Sequence, residues 1–364
     1  MLPPALPLEL PLTPDPAWAD FLAARRDALD AVHLGLGHPA LADARQRIAP
    51  PDLAAAHAAI DRVAGTDVFV LMNSRLHDPA KYASAPALNT AADLLDALGE
   101  HPNVRGLVFA DPYFLQALSD ARPATAARYE AVPSVNAGLD SAPKALALLA
   151  LIDTTAFRPP SRLVLDRALN RDMDRLAQTS ARLRAARPGL KLLLMANEGC
   201  LLHCPYKPAH DAHVSLVTEG MAPDRTFATN RDLGCVRRFL ADPGAVLASP
   251  FIRPEDAGRY AGLADGLKLC GRNRGTPFLR RAAGAYLAGS YPGNLLDLLD
   301  TLGDLAGHLR VPGDALPPDF AARVEACGKD CRACGWCGAL MARIAVRTDP
   351  GLPRLRVPFC PGLP

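Results

Sequence analysis

The chain has 364 residues, with 40 basic and 38 acidic side chains and a net charge of +2, so a general polyanion-binding role loses support. Aromatic residues make up only 5%, too few for a surface that stacks single-stranded nucleic acid, and no DNA partner is expected. The longest uncharged apolar run, 145–152, is far short of a bilayer span, so no membrane association is expected either.

In chain order, the opening MLPPALPLELPLTPDP lacks a basic start and is broken by prolines. It reads as an extended lead-in rather than an export signal, which makes a cytoplasmic location the expectation. Short β-type runs then recur at 31–37, 67–74, 106–113, 131–138, 161–167, 191–199, 245–252 and 266–272. Segments with helical apolar spacing lie between them, among them TAADLLDALGE and RDMDRLAQTSARLRAA. Nearly continuous apolar strands alternating with helices predict a parallel sheet covered by helices. Eight such units favour a closed (β/α)8 barrel, an α/β fold of the TIM-like kind. No GxGxxG follows the first strand and no GxxxxGK[ST] occurs, so nucleotide-binding doubly wound folds lose support. The barrel with its lead-in is expected over 1–300. NLLDLLDTLGDLAGHL reads as a helix and VPGDALPPDF as a linker, within a cysteine-rich tail over 301–364.

All nine cysteines lie beyond residue 199. Without an export signal, clustered cysteines point to metal more than to disulfides. Cys200 and Cys204, in NEGCLLHCPYKPAH, directly follow a strand; Cys235 lies in the next long segment, and Cys270 ends the last strand. In a barrel these four thiols converge at the mouth, a set suited to an iron–sulfur cluster or to tetrahedral zinc. Zinc would also accept Cys200, Cys204, His210 and His213, but that set leaves Cys235 and Cys270 without a role, so the cluster is preferred. The second group, CGKDCRACGWC, places Cys327, Cys331, Cys334 and Cys337 within eleven residues. It is read as wrapping a second 4Fe–4S cluster, with structural zinc the alternative. Its first three cysteines have the spacing of radical SAM enzymes but sit in the tail rather than after the first strand, so an auxiliary cluster is the reading. Cys360, flanked by prolines, is read as no ligand. Near the mouth, Arg253, Lys268 and Arg272 are candidates to clamp a substrate carboxylate. Glu198 and His203 are the nearest acid–base candidates.

The succession VPSVNAGLDS, RLVLDRALNRDMDRL, NEGCLLHC and LKLCGR is similar to peptidase family U32, the collagenase-like peptidases, over roughly residues 30–300. That resemblance implies a TIM-like barrel with a 4Fe–4S cluster bound by four cysteines. It also implies an oxygen-independent hydroxylase with prephenate as oxygen donor. The sequence departs from the family pattern in three places: the first two cysteines are closer together, Cys270 stands where Glu is common, and the tail set is additional. The expectation is an iron–sulfur oxidoreductase with two 4Fe–4S clusters, acting on a small or aromatic substrate and served by a redox partner protein. Two other classes stand beside it. One is a non-catalytic iron–sulfur subunit. The other is a hydrolase, as the family name suggests, although neither GxSxG nor HExxH is present.

Overall fold

The computed structural model describes residues 6–44 and 52–347, so Cys360 lies outside the described residues. Eight parallel strands form one sheet: β1 (Leu8–Leu12), β2 (Leu29–Leu34), β3 (Val68–Met72), β4 (Val104–Phe109), β5 (Glu130–Pro133), β6 (Arg162–Leu165), β7 (Lys191–Met195) and β8 (Gly266–Lys268). Their order is β5-β4-β3-β2-β1-β8-β7-β6, so the first and last strands pair in the middle of the sheet. The two ends approach through an isolated bridge from Glu130 to Arg158, which nearly closes the ring. This is the TIM-like barrel that the strand–helix alternation predicts.

Alternation along each strand explains why the ring forms. Leu8, Leu10, Val32, Leu34, Leu163 and Leu267 point outward into one large core shared with the helices. Their neighbours Ala31, Phe69, Leu71, Val108 and Val132 fill one part of the barrel interior, and Val164, Leu193, Met195 and Cys270 another. Other inward positions of β1, β2, β6 and β8 carry charge or an imidazole: Glu9, His33, Arg162 and Lys268, all buried.

Two assignments change. The expected strand at 245–252 is instead the short helix Gly244–Ala248, whose Val246 and Leu247 are fully buried in a second apolar cluster. A brief apolar run has no periodicity to separate strand from helix, and here Pro243 starts a turn of helix. The eighth strand lies in the supposed lead-in, as β1, LELPL. Two prolines beside a charged residue disguise it, because the partner of Glu9 is some 259 residues away at Lys268.

NLLDLLDTLGDLAGHL is not one helix but the turns Leu295–Leu298 and Asp300–Leu302 and the short helix Gly303–Ala306. The helical path is interrupted at Leu299, whose backbone is extended (φ -96, ψ 112), and Asn294 ties the start of the segment to the chain beyond it. Its side chain accepts from Leu296 N and Val311 N and donates to Leu309 O, competing with helical bonding. Beyond it the tail packs back: Phe320, Val324, Leu340 and Met341 share the second cluster with Leu201, Phe239, Leu247 and Phe251. Two short antiparallel strands, Leu309–Arg310 and Val346–Arg347, fasten the far end. Among the described residues no helix is long and apolar enough to cross a membrane.

The interior ion cluster makes stability depend on pH. Burial, reinforced by the Lys268 ammonium, pushes the His33 imidazole down from 6.5 to about 3. A folded pKa below the unfolded one means that, as pH falls from 6.5, the unfolded chain takes up a proton the folded chain refuses. Stability should therefore fall by about 1.4 kcal/mol per pH unit on account of this ring. Urea unfolding between pH 6 and pH 4.5 should be correspondingly less steep in pH for His33→Gln than for the wild type. Equal steepness would show that the ring is already charged in the folded protein.

Candidate active site at the barrel mouth

A cavity of about 680 Å³ opens where the strands end in their C-terminal loops. Its floor takes Arg75 after β3, Asn136 after β5, Glu198 and Cys200 after β7, and Asn273 and Arg274 after β8. Its roof is the insertion after β7, with the helices Lys207–Thr218, Thr226–Asp232 and Cys235–Ala241. Specific bonds hold roof to floor. Arg75 Nη1 pairs with Asp211 at 3.0 Å, Ser74 Oγ donates to Ser215 Oγ at 3.0 Å, and Thr218 Oγ1 donates to Asp43 O at 3.3 Å.

Asn197 organises the floor. Its Nδ2 donates to the carbonyls of Cys270 (3.0 Å) and Leu298 (3.2 Å), while its Oδ1 accepts from Cys270 N (2.8 Å) and Cys270 Sγ (3.3 Å). One buried amide thus ties the end of β7 to the end of β8 and to the segment that leads into the tail. Next to it, buried Glu198 lines the cavity with its carboxylate 2.6 Å from Arg167 Nε. Lys207 Nζ pairs with both oxygens of Asp211, at 2.7 and 2.8 Å, one helical turn on.

The expected mouth ligands divide. Cys200, Cys204 and Cys235 line this cavity together. Burial pushes the thiols of Cys204 and Cys235 up, and for Cys235 the nearby Cys204 adds to it. Cys270 does not line the cavity. It points into the barrel interior among Val135, Val164, Leu193 and Met195, with its sulfur turned to Asn197.

The expected carboxylate clamp is occupied by the protein's own acids. Arg253 holds Asp256 through two bonds of 2.5 and 2.9 Å, and its guanidinium lies 5.0 Å over Phe320. Lys268 contacts Glu9 and sits 3.2 Å from His33 inside the barrel. Arg272 pairs with Asp43, and burial pushes it down to about 10. His203 lies with the tail rather than the mouth, at φ 50.

The tail set comes together. Cys327, Cys331, Cys334 and Cys337 line one cavity of about 1180 Å³, walled on one side by the 201–205 loop. Leu201 borders both cavities, so one loop separates the two thiol sets. Among the described residues no three His, Cys, Asp or Glu side chains close to the spacing of a single bound ion. Tetrahedral zinc with sulfur ligands about 2.3 Å away would need its thiolates in mutual contact.

Four residues that sequence reasoning did not place at the site line the mouth: Lys207, Asp211, Arg274 and Asp300. The spacing of Lys207 and Asp211 in KPAHD was a legible signal for a helical ion pair. Nothing local marks Asp300, which arrives because its backbone N–H donates to Asn197 O at 3.0 Å.

No family model matches the chain. It is similar to an uncharacterized protease of Methanocaldococcus jannaschii, 29% identical over 210 residues, which are 56% of this chain and 60% of that protein. The chain thus spans about three fifths of the curated relative it matches. It is also similar to a solved structure of a U32 peptidase at 17% identity and TM-score 0.47, covering 73% of this chain and 93% of that one. The protease name of the curated relative is in keeping with the resemblance to the U32 peptidases read from the residues. That protease name also corrects the expected activity, against the reading of this chain as an iron–sulfur oxidoreductase.

Proposed function

We propose that the chain is a hydrolase of peptide-type amide bonds, with the barrel mouth as its active site. The observation that carries the reading is the 680 Å³ cavity at the C-terminal face, large enough for a short peptide segment and lined by acid, base and cation together. The protease name of the curated relative supports it. Glu198 is the proton acceptor in this scheme. Its pairing with Arg167 fixes its direction, as a base for an attacking water requires. Water adds to the amide carbon, its proton passes to Glu198 and then to the departing amine, and the C–N bond breaks. Arg274, lining the same wall, faces the charge that develops on the carbonyl oxygen. Such a scheme needs neither GxSxG nor HExxH.

Cys200, Cys204 and Cys235, which line the cavity together, would hold a 4Fe–4S centre there. When bound, that centre would polarise the substrate carbonyl as a Lewis acid. Cys270, outside the cavity, supports the site through Asn197.

The test is cleavage of an unstructured peptide library by anaerobically purified protein, followed by mass spectrometry. Glu198→Gln, which preserves shape, should lower the cleavage rate about a hundredfold or more. A wild-type protein that leaves the library uncut, or a variant as active as the wild type, would refute the assignment.

A further inference from the structure

The structure assigns a second, separate metal site to the tail: Cys327, Cys331, Cys334 and Cys337 seat an iron–sulfur cluster of their own, outside the mouth.

The first observation is convergence. Four thiols from three short elements, the helices Phe320–Ala326, Cys331–Cys334 and Trp336–Ile344 with their junctions, border a single cavity. Four thiols within eleven residues, C-x-x-x-C-x-x-C-x-x-C, can wrap one cluster once the fold brings them to a shared cavity.

The second observation is how the backbone is held. Among the described residues only two other than glycine have positive φ, His203 at 50 and Lys329 at 63, and both line this cavity. Left-handed backbone is costly for residues with a Cβ and collects where surroundings enforce it for a purpose. Lys329 is enforced by its own side chain. Its Nζ donates to Val324 O (3.0 Å), Glu325 O (2.8 Å) and Cys327 O (2.8 Å), folding the CGKDC turn around the ammonium. Asp330 then caps the next turn through Ala333 N at 3.2 Å. Gly335, at φ 62, ends that turn and starts the helix carrying Cys337. Reversals at Lys329 and Gly335 thus set Cys327 apart from Cys331 and Cys334 apart from Cys337, while Cys331 and Cys334 sit on one helical turn. Cys331 and Cys334 are exposed, so a preassembled cluster can reach them from solvent. On ligation each thiol gives up its proton and four iron–sulfur bonds replace those to the carrier; no electron is transferred.

The experiment uses full-length protein, purified anaerobically and analysed for iron, acid-labile sulfide and zinc. In Cys200→Ser/Cys204→Ser/Cys235→Ser, which disables the mouth set, about four irons and about four sulfides should remain per chain. Adding Cys331→Ser and Cys334→Ser, at exposed positions that do not support the core, should remove them. The inference is overturned by one zinc per chain without sulfide, by no metal, by a tail disulfide in place of metal, or by iron that survives the added substitutions. None of these readouts depends on peptide cleavage, so the site stands or falls apart from the activity proposed for the mouth.

Discussion

Replacing Lys268 with Met should destabilise the protein by about 3–5 kcal/mol, because it strips the cation from a carboxylate with no access to water. Glu9 and Lys268 are 2% and 5% exposed and touch inside the barrel. Burial alone would raise the Glu9 pKa, but Lys268, His33 and Arg162 outweigh it and hold the carboxyl well below the ordinary carboxylate range. Arg162 is 3.8 Å from the same carboxylate, which places the loss toward the lower end of that range. The double change Glu9→Gln/Lys268→Met removes both charges and should recover much of the stability. Urea denaturation of both variants decides the matter. If the double variant is no more stable than Lys268→Met, the penalty comes from lost packing and not from a stranded charge.

Phe320→Ala should cost a similar amount, about 3–5 kcal/mol, through loss of transfer energy and the cavity left behind. Phe320 is fully buried, with Phe251 and Trp336 rings at centroid distances of 6.4 and 6.2 Å. The guanidinium carbons of Arg253 and Arg171 lie 5.0 and 5.8 Å from its centroid. These two buried cations rest on the ring, so its removal also withdraws the π-face that favours them. Phe320→Leu should leave a smaller cavity and fall between wild type and Ala in thermal unfolding. Little change in Phe320→Ala would mean that the tail does not pack on the 201–251 segment.

How far the chain could be read from its residues depends on whether the deciding partner is near or far. Strands β2 to β8 were legible because both faces of a barrel strand are covered, which leaves an apolar run such as KLLLM standing out between polar corners. By contrast β1 was hidden, since Glu9 makes sense only once Lys268 is beside it. The run 245–252 was misread because burial against the tail looks the same in sequence as burial in a sheet. At the site, the thiol pairs and the CGKDCRACGWC spacing were legible as local patterns. The occupied clamp was not: the acids that hold Arg272 and Lys268 lie 229 and 259 residues away. Cys270 was placed correctly at the end of a strand, but one strand position decides between mouth and interior, and composition cannot tell them apart.

The pairing of β1 with β8 also dictates when the molecule can be finished. Strand β1, made well before β8, finds its second neighbour only after Lys268 has emerged. Until then Glu9 lacks the cation that offsets its burial, and one side of β1 is an open edge able to join a neighbouring nascent chain. Ring closure is therefore a late step dominated by contacts distant along the chain, the kind that slows folding and lengthens exposure to aggregation. A circular permutant that starts near β2 and carries β1 directly after β8 would make these contacts local, and it should refold faster with less loss to aggregates.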